Sequence, residues 1–135
     1  MWNLFIFMKI TKDIILTKLK EKDEVLMPRQ GKLSIPIIKR ICKKMNKKLL
    51  FKSINVSSDN TIIDGHHRYI SSLLTNFDID IISNYPKPSY HKDYHWENVE
   101  FVDDDWDSPS KVKMLNEEDA FYNKMTISEV ENIIK

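Results

Sequence analysis

The chain has 135 residues, 41% of them hydrophobic, enough for one domain with a core and an appended tail. Its single cysteine, Cys42, excludes an intramolecular disulfide and a cysteine-pair zinc site, and favours a reducing, cytoplasmic setting. The net charge of +1 conceals a division: residues 1–60 carry 14 Lys and Arg against 5 Asp and Glu, a net of +9, whereas residues 61–135 carry 7 against 15, a net of −8. Such an asymmetry predicts either an anionic partner for the first half or docking of one half on the other.

The opening MWNLFIFM is apolar but too short to span a membrane, and it lacks the basic start and small-residue cleavage site of a signal peptide. Residues 4–10 read as a strand, and residues 11–20 fit a helix or a strand equally well. A charged connection, 21–29, leads past Pro28. Ser34 followed by Pro36 marks a helix start, and the apolar positions Ile37, Ile38, Ile41, Met45 and Leu49 carry that helix to about Leu50. Its opposite face is basic, with Lys39, Arg40, Lys43, Lys44, Lys47 and Lys48. Residues 51–56 and 61–63 read as two strands of a hairpin around the polar turn 57–60. A helix over about 67–75 and a strand over 79–82 follow, before Pro86 and Pro88 break the chain.

From Tyr90 onward aromatic residues alternate with acids. Ser108-Pro109 predicts a helix over 109–123, and Thr126-Ile127-Ser128-Glu129 is a capping box for a short last helix over 127–134. Trp96 and Trp106 are expected as core anchors that fasten the tail. His91 and His95 have a metal-binding spacing with Asp93 between them, but no metalloprotease Glu accompanies them, and no metal site is expected. Asp103–Asp105 and Asp107 are expected as a solvated acidic turn.

The most informative segment is Ile62-Ile63-Asp64-Gly65-His66-His67-Arg68-Tyr69. A β-branched pair runs into an acid and a glycine, and two histidines and an arginine open a helix. This strand–turn–helix joint gathers polar side chains and free backbone N–H groups in one place, the ingredients of an anion site. The chain has two glycines, Gly31 and Gly65, and the second falls at this turn. Arg68 suits a phosphate through its planar fork, or pairs with Asp64. His66 could act as general acid or base near neutral pH, His67 as a ligand or as a residue that holds the turn, and Asp64 as a catalytic or metal-binding acid or as a helix cap.

The order of elements, with Pro28-Arg29-Gln30-Gly31-Lys32-Leu33-Ser34 as an early box and Asp64-Gly65-His66-His67-Arg68-Tyr69 as a later glycine-x-x-arginine box, resembles the N-terminal domain of ParB partition proteins and the related sulfiredoxins and free-serine kinases. The resemblance covers roughly residues 8–83. It implies an α+β fold with a small mixed β-sheet and packed helices over 1–85, followed by an aromatic and acidic helical extension over 86–135 packed on it. It also implies a nucleotide, ATP or CTP with Mg²⁺, whose phosphates are gripped by Gly65, His67 and Arg68, with Arg29, Gln30 and Lys32 nearby. His66, His67 and Asp64 are the catalytic candidates for phosphoryl transfer or nucleotide hydrolysis. The acid that some members use as a base near the early box has no clear counterpart, and Glu21, Asp23 or Glu24 could supply it. The cysteine that sulfiredoxins carry in the later box is His66 here, so sulfinic acid reduction is not expected. The chain is too short for a helix-turn-helix domain together with a dimerisation domain, so partition activity is not expected either. Two other functions fit the same residues: a ParB-like nuclease or DNA-binding effector using the basic helix 39–48, and a non-catalytic interaction module of a mobile-element or toxin–immunity system.

Overall fold

The computed structural model describes residues 9–89, 92 and 94–135. The expected strand at 4–10 lies almost wholly outside them, as do His91 and Asp93 of the expected histidine pair.

The ambiguous segment 11–20 is helix α1 (Lys12–Lys20), started by Thr11, whose side chain accepts from the Ile14 N–H. Ile15 and Leu19, one turn apart, are its buried positions. Strand β1 (Lys32–Ser34) then leads directly into α2 (Ile35–Asn46). Ser34 caps α2 through the Ile37 N–H, as the Ser-x-Pro pattern predicts, but the helix stops at Asn46 rather than near Leu50. Leu49, past its end, is still buried.

The hairpin is shorter than the sequence implies. β2 (Ile54–Val56) pairs antiparallel with β3 (Ile62–Asp64) across a bulge at Asn55 and Val56. Helix α3 (His66–Thr75) follows β3 after the single residue Gly65, and β4 (Ile81–Ile82) returns parallel to β2. A second, two-stranded sheet forms where β5 (Glu100–Val102) pairs in parallel with β1, Leu33 opposite Phe101. Beyond it lie α4 (Pro109–Asn123) and α5 (Ile127–Ile133), both where their Ser108 and Thr126 caps predict them. The capping box at Thr126 and Glu129 is complete in both directions.

The molecule is therefore α+β, as expected, with the strands in two small sheets instead of one. Among the described residues no helix is long and apolar enough to cross a membrane.

One core joins the elements. Leu33 of β1, Ile38 of α2, Ile54 of β2, Ile62 of β3, and Ile70 and Leu74 of α3 have no exposed surface. Each such side chain contributes on the order of 2 kcal/mol by leaving water. Val99, also fully buried, and Trp96 belong to the same cluster. The core thus continues past residue 85 and takes in the segment 96–102. Trp96 anchors it as expected: its indole N–H donates to the Leu26 carbonyl at 2.8 Å, and its ring lies 6.0 Å from that of Tyr69. Trp106 does not anchor anything in this core; 46% of its surface is exposed.

The charge division has a structural counterpart. Arg40 of α2 makes a two-pronged bond to Asp105, 2.6 and 2.8 Å, and reaches Asp107 at 3.5 Å. Lys44, on the same helix, is buried and bonds Asp119 of α4 at 2.5 Å. Lys43 donates to the carbonyls of Ile134 and Lys135. The basic helix and the acidic tail are docked on each other through these contacts.

Candidate functional site

Gly65 makes the turn between β3 and α3. Its φ of 107° is a conformation that side-chain-bearing residues rarely adopt, and a Cβ there would stand 2.9 Å from Arg68 Nη2 and 3.3 Å from Ile54 Cγ1. No side chain caps α3, so its N-terminal amides are free of the Asx or Ser bond that usually fills this position. Asp64, which the sequence allowed as that cap, is exposed and lies beside Arg68 instead, 3.4 Å from Nη2. Gly65→Ala is expected to lower stability by about 1–3 kcal/mol through backbone strain and to displace the Arg68 guanidinium. Thermal or denaturant unfolding of the variant measures the first effect.

The first turn of α3 ties the two boxes together. His66, buried, accepts the Arg29 N–H on Nε2 at 2.9 Å. His67 accepts the Ser34 N–H on Nε2 at 3.0 Å. Tyr69, one turn on from His66, accepts the Leu26 N–H on its hydroxyl at 3.1 Å. Arg29 in turn donates from Nη2 to the Ile63 carbonyl at 2.9 Å. Three side chains of the first turn, His66, His67 and Tyr69, thus satisfy three backbone donors of the segment 26–34, which would otherwise be stranded.

These bonds require neutral imidazoles, because Nε2 must carry a lone pair. Burial pushes His66 down to about 3, with the Arg29 guanidinium acting in the same direction. Burial pushes His67 down to about 4, and the nearby Asp107 only partly opposes it. The expected general acid–base role of His66, and any catalytic role of His67, meet a physical obstacle here: each ring's acceptor nitrogen is occupied, and each is held far below neutrality. The thiol of Cys42 is also unsuited to chemistry, since burial lifts it to about 12.

The turn opens on a cleft of about 490 Å³, inside the usual range for small-molecule sites. Its floor is Asp64, Gly65, His66, His67 and Arg68. From α2 it is lined by Ile37, Ile41 and Lys44, and from the C-terminal extension by Trp106, Asp107 and the α4 residues Lys111, Leu115, Glu118 and Asp119, with Lys44 and Asp119 bonded to each other. Phe51 and Lys52 close one side.

Of the residues expected to hold phosphate, Gly65, His67, Arg68 and Gln30 line this cleft, while Arg29 and Lys32 do not. Arg29 is engaged with Ile63, and Lys32 is exposed on β1. Gly31 does not line the cleft and lies against the Tyr94 ring, where a Cβ would approach within 2.9 Å of the ring. Glu21, Asp23 and Glu24 are exposed outside the cleft. The Asp103–Asp107 turn is exposed at Asp103–Asp105, as expected, but Asp105 and Asp107 are ion-paired to Arg40. Among the described residues no three His, Cys, Asp or Glu side chains are arranged to hold a metal ion.

The sequence reading missed the entire wall supplied by the extension. A faint signal exists, since Lys111, Leu115 and Asp119 recur every four residues and share a helix face, but nothing local says what that face meets. Arg68 itself is held from one side: Nη2 donates to the Ser53 carbonyl at 3.0 Å and lies near Asp64, so the guanidinium is oriented at the cleft floor.

No family model, curated protein or solved structure matches this chain.

Proposed function

We propose that this protein binds a nucleotide by its phosphates at the Gly65–Arg68 turn and that the turn stabilises charge during phosphoryl transfer or nucleotide hydrolysis. The observation that carries this reading is the uncapped N-terminus of α3, joined to the Arg68 guanidinium and open to a cleft of about 490 Å³. A helix start of this kind offers backbone N–H donors and partial positive charge to an anion. Arg68 adds a planar donor fork, and Lys52 lines the cleft as a further cation, whereas Lys44 and Lys111 there are paired with Asp119 and Asp107. Such preorganised donors favour the charge that builds on transferring phosphoryl oxygens.

The two histidines act as positioning residues in this scheme. They fix the early box against the turn, and Asp64 is left as the exposed acid beside Arg68 for proton transfer. Mg²⁺ would arrive with the nucleotide and offset its phosphate charge.

The nuclease or DNA-binding reading has less support. Arg40, Lys43 and Lys44 of the basic helix already bond the extension, which withdraws them from a nucleic-acid backbone. Calorimetric titration with ATP, CTP and ADP, with and without Mg²⁺, tests the proposal, and absence of binding by any of them refutes it.

A further inference from the structure

An indole is costly to leave in water, and Trp106 is nearly half exposed at the wall of the cleft. It is nonetheless held firmly. Its ring meets the His67 ring edge-on, with centroids 5.4 Å apart and planes at 89°. His67 is itself pinned by the Ser34 N–H. The residues on either side of Trp106 are also fixed: Asp105 by the two-pronged bond to Arg40, and Asp107 by Arg40 and by Lys111 at 3.8 Å. The indole therefore stands in the cleft on a clamped stretch of chain, one ring contact away from the residue that precedes Arg68. The neighbouring lining residues Ile37, Ile41 and Leu115 are apolar and only partly buried. A cleft that needed only to hold phosphate would have no use for a rigid aromatic wall, and a phosphate group fills only a small part of its volume.

We propose that Trp106 is the platform on which the base of the ligand stacks, so that the site selects nucleotides over inorganic polyphosphates and is completed by the C-terminal extension. This inference rests on the phosphate-binding reading of the Gly65–Arg68 turn. It divides the cleft into a phosphate end at the turn and a base-binding wall on the extension. Stacking on an aromatic ring accepts any base, so Trp106 supplies affinity for the base without dictating its identity. Because the indole is already held in place, little conformational freedom is lost on binding.

The test compares ATP and CTP with inorganic tripolyphosphate on the intact chain, by calorimetry, for wild type, Trp106→Ala and Trp106→Phe. Wild type is expected to bind at least one nucleotide more tightly than tripolyphosphate. Trp106→Ala is expected to weaken nucleotide binding about 10-fold while leaving tripolyphosphate affinity unchanged, and Trp106→Phe to retain most of the nucleotide affinity. Nucleotide binding should also quench indole fluorescence in wild type and do so far less in Trp106→Phe. Equal loss for nucleotide and tripolyphosphate, or no loss for either, overturns the platform, as does wild type that prefers neither ligand; in each case the phosphate site stands. Failure of wild type to bind any of the three ligands removes the phosphate site and the platform together. Trp106 is exposed, so the variants are expected to fold, and circular dichroism checks it.

Discussion

Lowering the pH from 7.5 to 5 is expected to destabilise this protein by about 4 kcal/mol, with His66 and His67 contributing about equally. Both imidazoles are neutral acceptors in the fold, and their folded pKa values lie at about 3 and about 4, against an ordinary value of 6.5. A depressed pKa means that the unfolded chain binds the proton first. The stabilisation is therefore complete above pH 6.5, declines as the pH falls below it, and is gone once the pH has passed through the folded values. At pH 5 the unfolded chain has gained most of a proton at each histidine and the folded chain almost none, a difference of about 2 kcal/mol per ring.

The carboxylates held low in the fold act in the same direction but in a different window. Asp105 is lowered by its bond from Arg40, and Glu129 by the Thr126 N–H. Their unfolded counterparts titrate near 4, so most of their effect falls below pH 5. Denaturant midpoints measured at half-unit steps from pH 7.5 to 5 isolate the histidines. Replacing both by Gln keeps an acceptor oxygen for the Arg29 and Ser34 amides and removes the titration, so the pH slope should flatten. A double variant with the wild-type slope would show that the imidazoles do not hold these bonds. Total stabilities of small domains are about 5–15 kcal/mol, so a loss of this size is a large part of the whole.

The local features of this chain were legible and the distant ones were not. Gly65 at the turn, Ser34 and Ser108 before prolines, and the Thr126–Glu129 box all lie within four residues of what they bond, and each marks its element where it occurs. Strands β1 and β5 have three residues each and carry no alternation long enough to read; their parallel pairing joins Lys32 to Glu100 across half of the chain. Periodicity identified the apolar face of α2, but it cannot say what covers that face. Ile38 and Met45 entered the core, whereas Ile37 and Ile41 were left on the cleft. The same limit applies to Trp106, where tryptophan's usual burial suggested an anchor and two ion pairs to Arg40 instead hold its segment at the surface. The histidines illustrate a different gap. The type of His66 fits acid–base chemistry and that of His67 a ligand or a brace for the turn, and only the positions of the Arg29 and Ser34 amides, more than thirty residues away, make both of them braces.

Arg68→Ala is expected to weaken nucleotide binding about 10- to 100-fold, the equivalent of losing about 1.5–3 kcal/mol of charge-assisted hydrogen bonding. The side chain is oriented before any ligand arrives, because the Ser53 carbonyl at 3.0 Å and Asp64 at 3.4 Å hold one nitrogen of its fork. Gly65 leaves the room the guanidinium occupies, since a Cβ there would stand 2.9 Å from Nη2. Prior placement of this kind strengthens the contact with an anion, since little side-chain freedom remains to be lost. Arg68→Lys should recover only a small part of the affinity: a single ammonium can either keep the Ser53 bond or reach the phosphate, while the planar fork does both. The loss should be the same for ATP and for tripolyphosphate, which separates Arg68 from a residue that recognises the base. It should also be accompanied by a shallower dependence of affinity on salt, since one phosphate contact has been removed. Binding of ATP by Arg68→Ala as tight as that of wild type, at matched ionic strength, would place the phosphates elsewhere and leave the α3 turn as a purely structural joint between the two boxes.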